Sequence, residues 1–590
     1  MIGVNVSGCR GWYHDAPGSR GVLLCGPQSF EELCARPACH VLAEKLAGAG
    51  MPVLRIDLWG TADSPGSEDD PDLVASWRRC VTEAAGWLTN TAGVDEVVLV
   101  GMRLGSLLAG LEAPNIANLK GLALLAPVSG GRQHLRQMTA LSGIMAPPGS
   151  RDLDAASAPN DEISICGFRT TAAMIEDLKP LTIDAAGPSS LQRSPPLDVL
   201  LLQQKGTSTS SLQQFLAQAS CRTTVLPFFG YDEMMCDPTA ARLPSADLDA
   251  VVAWVSSLGP QAHRRAVHDI QPEPVMGDDW IETAVTFSSN PPLSGVLCAP
   301  RGGTPVGAPL IFTNGGMNYH IGWARQTVRI ARELAGRGVT SLRYDAPGIG
   351  DACFGDSRVL PLYNDIASNA LTAAIDFLAR RGAPKVMVTG SCSGAYTAFH
   401  VARKDARVAK AAIVNLQCFE WTPAIGYEIE KWADMRRAEI AAQRALAEQS
   451  LSRAPSKGRL GRYTLSGTMR FAGRIVKRLL RSKFINATSR AESEEVGWYR
   501  QISERGSELM MVYSRGDLGL LEFENKTGNG GAAITGLPGI SLRFIEKSDH
   551  NFTPRQAQND YLALLLELAA PQHQRCLESE PARSTSEKAL

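Results

Sequence analysis

The chain has 590 residues, of which 44% are hydrophobic and 20% charged, and its formal net charge is −1. A chain of this length exceeds what one hydrophobic core organises, so two or more domains are expected. The apolar content excludes disorder over most of the length, and the near-neutral charge gives no general attraction to nucleic acid or to a membrane. We therefore expect a globular protein without a nucleic-acid partner.

The cysteines and the first residues favour a reducing compartment. The 13 cysteines include no CxxC pair, and the neighbours Cys34, Cys39 and His40 do not make the usual four-ligand zinc pattern. The N-terminus lacks the basic and apolar regions of a signal peptide, and no uncharged apolar run reaches the ~20 residues that span a bilayer. These features predict a cytoplasmic protein with no metal and no other cofactor.

An internal repeat divides the chain into two copies. The first copy contains, in order, GVLLCGP, PVLRIDLWGTADSPG and EVVLVGMRLGSLLAG, and the second contains PLIFTNGG, TSLRYDAPGIGDACFG and KVMVTGSCSGAYTAF. The 77 positions from Gly26 to Arg103 equal the 77 positions from Gly315 to Cys392. Each copy alternates short apolar runs with helical patterns, which predicts an α/β fold with doubly wound, mostly parallel sheets.

The composition also suggests where the domains begin and end. We predict a first domain over 1–260, a linker over 261–280 that carries proline and charge, and a second domain over 281–570. An insertion over 418–500 lies where such folds carry a lid. The polar tail over 571–590 is predicted to be disordered.

The second copy carries a candidate nucleophile. GSCSG, from Gly390 to Gly394, follows an apolar run and places Cys392 at its centre. A nucleophile on a sharp strand-to-helix turn needs neighbours without side chains, because the backbones approach closely there. The turn also places the sulfur at a helix N-terminus, which favours the thiolate. We predict that Cys392 is the nucleophile; the alternative is a small core residue.

These motifs resemble those of α/β-hydrolases. VTGSCSGA resembles the elbow of the dienelactone-hydrolase type, in which cysteine replaces serine. NGG, RYDAPGIGD and GSCSGA together resemble the hydrolases encoded with bacterial exopolysaccharide and exosortase systems, and RIDLWGTADS with GMRLGS resembles a sister type. The resemblance implies two tandem α/β-hydrolase folds and acyl-transfer chemistry, in polysaccharide or envelope metabolism, without naming a substrate.

A thiol nucleophile needs a base, and the base needs an acid that orients it. In α/β-hydrolases the chain order is nucleophile, acid, histidine. Two strand-like runs follow the elbow, and Asp517 ends the first while His550 follows the second. We predict that His550 is the base and Asp517 the acid. The alternatives are Asp549 as the acid, and a helix-capping or turn role for Asp517.

The oxyanion hole of this fold uses the backbone N–H after the nucleophile and one from a loop after an early strand. These positions correspond to Ser393 and to Gly316, with Met317 as the next choice. Many family members carry His-Gly in this loop, so Asn314 departs from the pattern.

The first copy lacks these groups. Arg103 stands at its nucleophile position, and a protonated guanidinium cannot attack a carbonyl carbon. Pro27 stands in its oxyanion loop and has no N–H to donate. We predict a pseudoenzyme domain that binds an anion through Arg103. The alternative is an arginine paired with a nearby aspartate or glutamate.

The insertion contains a basic segment, 457–483, without an acidic residue. At helical spacing, its apolar side chains fall on one side and its cations surround them: Phe471, Ile475, Val476, Leu479 and Leu480, with Arg474, Lys477, Arg478 and Arg481. Such a helix predicts peripheral contact with an anionic inner membrane, or guidance of an acidic or lipid-linked substrate. The alternative is a lid helix packed on its own domain.

Together these features predict a hydrolase that acts on an ester or thioester through a Cys-His-Asp triad. Its substrate would be a small-molecule, saccharide or lipid-linked acyl compound. Two alternatives stay open: an acyltransferase that uses the same triad, and a non-catalytic scaffold of two pseudo-hydrolase domains. The sequence does not define the oligomeric state.

Overall fold

The computed structural model describes residues 1–145, 161–264, 269–289, 292–353, 360–452 and 493–570. The basic segment and the tail over 571–590 lie outside these ranges, so membrane contact through that segment stays a prediction. None of the helices in the described ranges is both long enough and apolar enough to cross a membrane.

The first unit is built on an eight-stranded sheet with the order β1-β2-β4-β3-β5-β6-β9-β10. The strands β1 and β2 are antiparallel to their neighbours, and the others pair in parallel. The strands β7 and β8 form a separate hairpin. The bounds are β1 (Ile2–Val6), β2 (Cys9–His14), β3 (Arg20–Cys25), β4 (Val53–Ile56), β5 (Glu96–Met102), β6 (Leu119–Leu125), β7 (Ile163–Ile165), β8 (Phe168–Thr170), β9 (Asp198–Gln204) and β10 (Arg222–Phe228).

The second unit is built on a nine-stranded sheet with the order β11-β12-β13-β15-β14-β16-β17-β18-β19. The strands from β14 to β19 pair in parallel, and the antiparallel strands lie at one edge. The bounds are β11 (Val275–Met276), β12 (Trp280–Ser289), β13 (Pro292–Pro300), β14 (Leu310–Phe312), β15 (Ser341–Tyr344), β16 (Val386–Ser391), β17 (Val408–Val414), β18 (Glu508–Ser514) and β19 (Ile540–Ile545).

Helices alternate with the strands in both units. In the first unit they span Ser29–Gly48, Leu73–Asn90, Leu104–Glu112, Gly131–Met145, Ala172–Leu178, Ser210–Gln218, Tyr231–Met234 and Ser245–Ser256. In the second they span Gln326–Gly336, Asp365–Arg380, Ser393–Lys404, Pro423–Ser452, Glu494–Glu504, Leu518–Thr527 and Arg555–Ala569.

The two sheets share one topology. Without β11, the strand order of the second sheet matches that of the first strand for strand, and both orders are those of the α/β-hydrolase fold. The central strands β3 and β16 are buried along nearly their whole length. Helices cover both faces of such parallel sheets, which explains the continuous apolar runs in the sequence. The prediction of two tandem α/β-hydrolase folds is confirmed.

The segment predicted as a linker is held by both units. The Ser19 N–H donates to the carbonyl of Ala262 (2.8 Å), and the Glu273 N–H donates to the carbonyl of Gly3 (2.9 Å). The strand β11 then joins the second sheet through β12. The connection between the units is therefore ordered in its described part.

The first helix of the predicted lid reaches across to the first unit. Asp434 on Pro423–Ser452 accepts a hydrogen bond from Arg242 Nη2 (3.1 Å). Arg437 on the same helix donates to the carbonyl of Ala240. The described part of this insertion therefore bridges the two units.

A buried charge network joins the units through equivalent residues of the repeat. Arg55 and Asp63 of the first copy stand 288 positions before Arg343 and Asp351 of the second. Arg55 Nη1 donates to Asp351 Oδ1 (2.8 Å), and Arg343 Nη1 donates to Asp63 Oδ1 (2.8 Å). The contact is reciprocal, as in a two-fold interface between identical subunits.

His320 bridges two carboxylates in this network. Its Nε2 lies 2.7 Å from Asp63 Oδ2 in the first unit, and its Nδ1 lies 2.9 Å from Asp345 Oδ2 in the second. Both ring nitrogens therefore donate, which requires the imidazolium form. Burial alone would lower the pKa of His320, but the charges of Asp63 and Asp345 raise it to about 10.

Arg36 of the first unit also bridges two carboxylates, one in each unit. This residue of the helix Ser29–Gly48 donates to Asp57 Oδ1 (2.6 Å) in its own unit and to Asp351 Oδ2 (2.7 Å) in the other. Burial alone would raise the pKa of Asp351, but Arg36 and Arg55 hold it well below its ordinary value. Asp63 and Asp351 thus each depend on cations from the other unit.

We expect Asp63→Asn to destabilise the protein strongly, because it removes one buried counter-charge from both His320 and Arg343. His320 then keeps only Asp345 and Arg343 only Glu282 as a buried carboxylate partner. Breaking a buried ion pair in this way costs about 3–5 kcal/mol. Denaturant unfolding monitored by circular dichroism measures the change. Asp249→Asn is the matched control, since its pair with Lys45 (2.7 Å) is exposed and should change stability by less than about 1 kcal/mol. Equal effects of the two variants would contradict the role of the network.

His320 should also make stability fall at alkaline pH. Its folded pKa of about 10 lies above the ordinary value of 6.5, so its contribution is complete below pH 6.5 and is lost as the pH rises through the folded value. The limiting slope for one proton is about 1.4 kcal/mol per pH unit. His320→Gln should remove this dependence in unfolding free energies measured between those pH values. Parallel curves for wild type and variant would show that another group titrates.

Candidate active site

Cys392 lies on a strained turn between β16 and the helix Ser393–Lys404. Its backbone has φ 56° and ψ −118°, a left-handed φ that is uncommon for a residue with a side chain. The Cys392 N–H donates to the carbonyl of Val414 (3.1 Å) and ties the turn to the next strand. Arg103 adopts φ 56° and ψ −120° at the equivalent turn. Both copies therefore keep the elbow, although only the second presents a thiol.

The two glycines around Cys392 are explained by close approach. A Cβ atom on Gly390 would collide with Thr313 Oγ1, and one on Gly394 would lie 2.6 Å from the carbonyl oxygen of Asn314. The elbow thus packs directly against the loop that follows β14. This contact is the steric requirement that the G-x-C-x-G pattern predicts.

His550 and Asp517 meet at the carboxyl ends of β18 and β19. His550 Nδ1 donates to Asp517 Oδ2 (2.5 Å). The other oxygen, Asp517 Oδ1, accepts from the Gly519 N–H (2.8 Å) and caps the helix Leu518–Thr527. Asp517 therefore makes both contacts that the sequence left as alternatives, the imidazole pair and the helix cap.

Asp549 contacts its own loop. Its Oδ1 accepts from the Thr553 N–H (2.9 Å) and from the Asn551 N–H (3.2 Å), and its Oδ2 accepts from the Thr553 hydroxyl (2.5 Å). These bonds hold the loop that carries His550. The geometry therefore places Asp517, rather than Asp549, against the imidazole.

The sulfur lies among groups that favour a thiolate. Burial alone would raise the pKa of Cys392, but the charge of His550 and hydrogen bonds from His550, Tyr363 and the Ser393 N–H lower it. Burial alone would lower the pKa of His550, but Asp517 and Cys392 raise it well above its ordinary value. Both shifts favour the form in which Cys392 is a thiolate and His550 an imidazolium.

Tyr363 is a site residue that the sequence analysis missed. Its hydroxyl lies 3.4 Å from Cys392 Sγ. The residue is buried and its φ is 57°, so the chain holds a strained conformation that aims the hydroxyl at the sulfur. A tyrosine in an irregular loop has no spacing pattern, and the sequence offers no signal for this role.

The predicted oxyanion donors have acceptors inside the protein. The Gly316 N–H donates to Ser393 Oγ (2.9 Å). The Met317 N–H donates to Thr239 Oγ1 (3.4 Å), a residue of the first unit. The Ser393 N–H points at the sulfur of Cys392. An incoming carbonyl oxygen would therefore find the Ser393 N–H and the Tyr363 hydroxyl beside the sulfur, whereas Gly316 would serve only after the Ser393 hydroxyl turns away.

Asn314 departs from the family pattern, and its side chain holds its loop through two hydrogen bonds. Its Nδ2 donates to Asp345 Oδ1 (3.1 Å), and its Oδ1 accepts from the Ala346 N–H (3.0 Å). Asn314 thus fastens the loop beside the elbow to the carboxylate that also binds His320. The site and the interface network share this residue.

An apolar wall lies on one side of Cys392. It consists of three buried residues with further side chains packed against them: Leu362, Tyr363 and Cys418, with Met317, Leu360, Tyr396, Ile425 and Ile429. Two of these residues, Ile425 and Ile429, come from the helix Pro423–Ser452 of the insertion. The wall is suited to the hydrocarbon part of an acyl group.

Arg103 is paired with a carboxylate of its own unit. Its side chain is buried, its Nε donates to Glu31 Oε1 (2.8 Å), and its Nη2 donates to Gln137 Oε1 (2.9 Å). This ion pair is the alternative that the sequence left open, and anion binding through Arg103 stays a prediction. Lys205 follows β9, the helix Tyr231–Met234 begins just after β10, and neither segment contains a histidine. The first unit thus keeps the elbow without the triad.

Comparisons with known proteins identify no family for this chain. No protein-family model and no curated protein matches it. Among solved structures, a dienelactone hydrolase from Anabaena variabilis is 14% identical with a TM-score of 0.31, and the match covers 49% of this chain and 97% of that one. Est1E from Butyrivibrio proteoclasticus, solved with ferulic acid bound, is 16% identical with a TM-score of 0.32, covering 44% and 99%. An esterase domain of a Rhodothermus marinus protein is 17% identical with a TM-score of 0.28, covering 48% and 95%. At these values the matches carry no information about activity.

We expect Cys392 to be alkylated by iodoacetamide with an apparent pKa below the ordinary value of 9.0. His550→Gln and Tyr363→Phe should each raise that value, because each removes a group that stabilises the thiolate. The pH dependence of the labelling rate, followed by peptide mass spectrometry, measures it. Cys418 is the internal control, since burial raises its pKa to about 12. Labelling of Cys392 that is as slow as that of Cys418 would contradict the activated pair.

Proposed function

We propose that this protein is a hydrolase of esters or thioesters, with Cys392 as nucleophile, His550 as base and acid, and Asp517 as the orienting carboxylate. The observation that carries the proposal is the hydrogen bond between Asp517 and His550, together with a half-buried thiol on a strained elbow whose pKa the imidazole lowers. Arg103 has the same positive φ without a triad, so the imidazole beside the thiol is the feature that separates the alternatives. A core cysteine in a scaffold would not need it.

In the first step the Cys392 thiolate attacks the acyl carbonyl carbon. The negative charge moves to the carbonyl oxygen, where the Ser393 N–H and the Tyr363 hydroxyl can donate to it. His550 then gives its proton to the leaving alkoxide or thiolate. Collapse of the intermediate leaves an acyl thioester on Cys392 and releases the alcohol or thiol.

In the second step His550 takes a proton from water, and the resulting hydroxide attacks the thioester. The tetrahedral intermediate collapses, the Cys392 thiolate leaves, and the acid is released. Asp517 keeps the imidazole in the same orientation through both steps. Its Oδ2 accepts from His550 Nδ1, so that His550 Nε2 is the nitrogen that faces the sulfur.

The first unit takes no chemical step in this proposal. Its elbow presents Arg103 in an ion pair, and it contacts the site through Thr239 at the Met317 N–H. We infer that the first unit supports the second by completing the interface and by positioning the loop beside the elbow.

Acyl transfer to a hydroxyl acceptor is the second candidate. The observation that favours it is the apolar wall beside the sulfur, since an acyl thioester that is shielded from water lives long enough to meet another nucleophile. Envelope saccharides and lipid-linked compounds are the acceptors that the sequence resemblance suggests. Hydrolysis and transfer share the acyl-enzyme and differ only in what attacks it.

We expect Asp517→Asn to lower kcat for an aryl ester or an acyl thioester by about 10⁴-fold, because the imidazole loses its orienting charge. Asp549→Asn is the matched variant, since that carboxylate contacts only its own loop among the described residues. It should retain at least about a tenth of the activity. Steady-state kinetics of both variants decide which aspartate is the acid, and a reversed order would contradict the assignment.

Tyr363→Phe should lower kcat by about 10²–10³-fold with little change in KM, as expected for loss of one oxyanion donor. The substitution removes one oxygen atom and keeps the ring that packs on Tyr396 (5.4 Å between centroids). Steady-state kinetics on the same esters measure it, and unchanged far-UV circular dichroism is the control for folding. If kcat stays within twofold of wild type, the donor must be sought elsewhere.

A further inference from the structure

Three side chains of the first unit meet away from the elbow. The ligand atoms of His14, His40 and Glu44 lie within 4.8 Å of one another. His14 ends β2, while His40 and Glu44 lie one turn apart on one face of the helix Ser29–Gly48. His14 Nδ1 lies 2.6 Å from Glu44 Oε1, and the centroids of the two imidazole rings are 5.7 Å apart. Strand and helix thus converge on a small cluster of nitrogen and oxygen atoms.

The two imidazoles are buried without their usual partners. His14 is 2% exposed and His40 is 3% exposed. Among the described residues, His14 Nε2 and both ring nitrogens of His40 have no hydrogen-bond partner. Buried polar atoms in native proteins nearly always have a hydrogen-bond partner, because burial without one removes the bonds to water and replaces them with none. These unpartnered ring nitrogens therefore suggest that the cluster binds a ligand.

We propose that His14, His40 and Glu44 bind one divalent transition-metal ion of the Zn²⁺ class, with three protein ligands and a further position open to solvent. Two imidazoles and one carboxylate match the ligand preference of Zn²⁺, whereas Mg²⁺ and Ca²⁺ prefer oxygen ligands. Glu44 is half-exposed (53%) and provides the route by which an ion enters. This inference stands apart from the proposed hydrolase chemistry at Cys392.

The surroundings can support the ligands. Asp351 Oδ1 lies 3.9 Å from His40 Nδ1, where a small movement would let it accept from that nitrogen while Nε2 binds the ion. Such a carboxylate behind a histidine fixes the ring and strengthens the ligand. The nearby cation Arg55 is already paired with Asp351 (2.8 Å). A bound ion would thus connect the helix Ser29–Gly48 to the interface network.

The test uses the full chain without a histidine tag, stripped of metal by a chelator. Calorimetric titration with Zn²⁺ should give one site per chain, and titration with Co²⁺ should give visible ligand-field bands without a sulfur charge-transfer band. His40→Gln and Glu44→Gln should each weaken binding at least about tenfold. Zn²⁺ should also raise the Tm of wild type and change that of Glu44→Gln much less.

His134→Gln is the matched control, because His134 is also a buried histidine of the first unit (4% exposed) with an unpartnered Nδ1. It should bind Zn²⁺ as wild type does. The proposal is overturned if wild type binds no Zn²⁺, if both cluster variants bind Zn²⁺ as tightly as wild type does, or if the Co²⁺ spectrum shows thiolate ligation. Glu44→Gln decides the matter if His40→Gln does not fold, since Glu44 lies at the surface.

Discussion

The reciprocal pairing of Arg55 with Asp351 and of Arg343 with Asp63 is the constraint on which the rest of the molecule depends. Each of these charges is buried, and a buried charge is tolerated only with its partner in place. Neither unit could therefore lose the other without exposing or stranding several ions. The RIDLWGTAD motif of the first unit therefore serves the interface through Arg55 and Asp63, whereas the elbow of that unit presents Arg103 in an ion pair.

The same network reaches the candidate active site. Asp345 binds His320 on one side and Asn314 on the other, and Asn314 lies in the loop that packs against Gly394 of the elbow. The first unit also contributes Thr239 at the Met317 N–H. The positions of Cys392 and of the loop from Asn314 to Met317 are thus set by contacts from both units, so the interface and the candidate site should respond together to substitution.

The sequence was sufficient for what depends on local pattern and chain order. Glycines around Cys392 predicted the elbow, and the order of Asp517 and His550 after successive strands predicted their meeting, because parallel strands end at one edge of the sheet. The role of Tyr363 could not be predicted, because only a strained loop brings its hydroxyl to the sulfur. The ion pair of Arg103 depends on Glu31, 72 positions away, and the cluster at His14 depends on β2 meeting a distant helix turn. Such contacts follow from packing and leave no periodicity in the sequence.

The proposed chemistry requires that Cys392 carry the acyl group during turnover. Peptide mass spectrometry can detect that group in wild-type protein that is quenched with acid while it hydrolyses an activated aryl ester. We expect one acyl adduct, on the peptide that contains Cys392, which forms within the first turnover and disappears when the ester is consumed. Hydrolysis without any adduct, or with an adduct on another residue, would show that Cys392 is not the nucleophile.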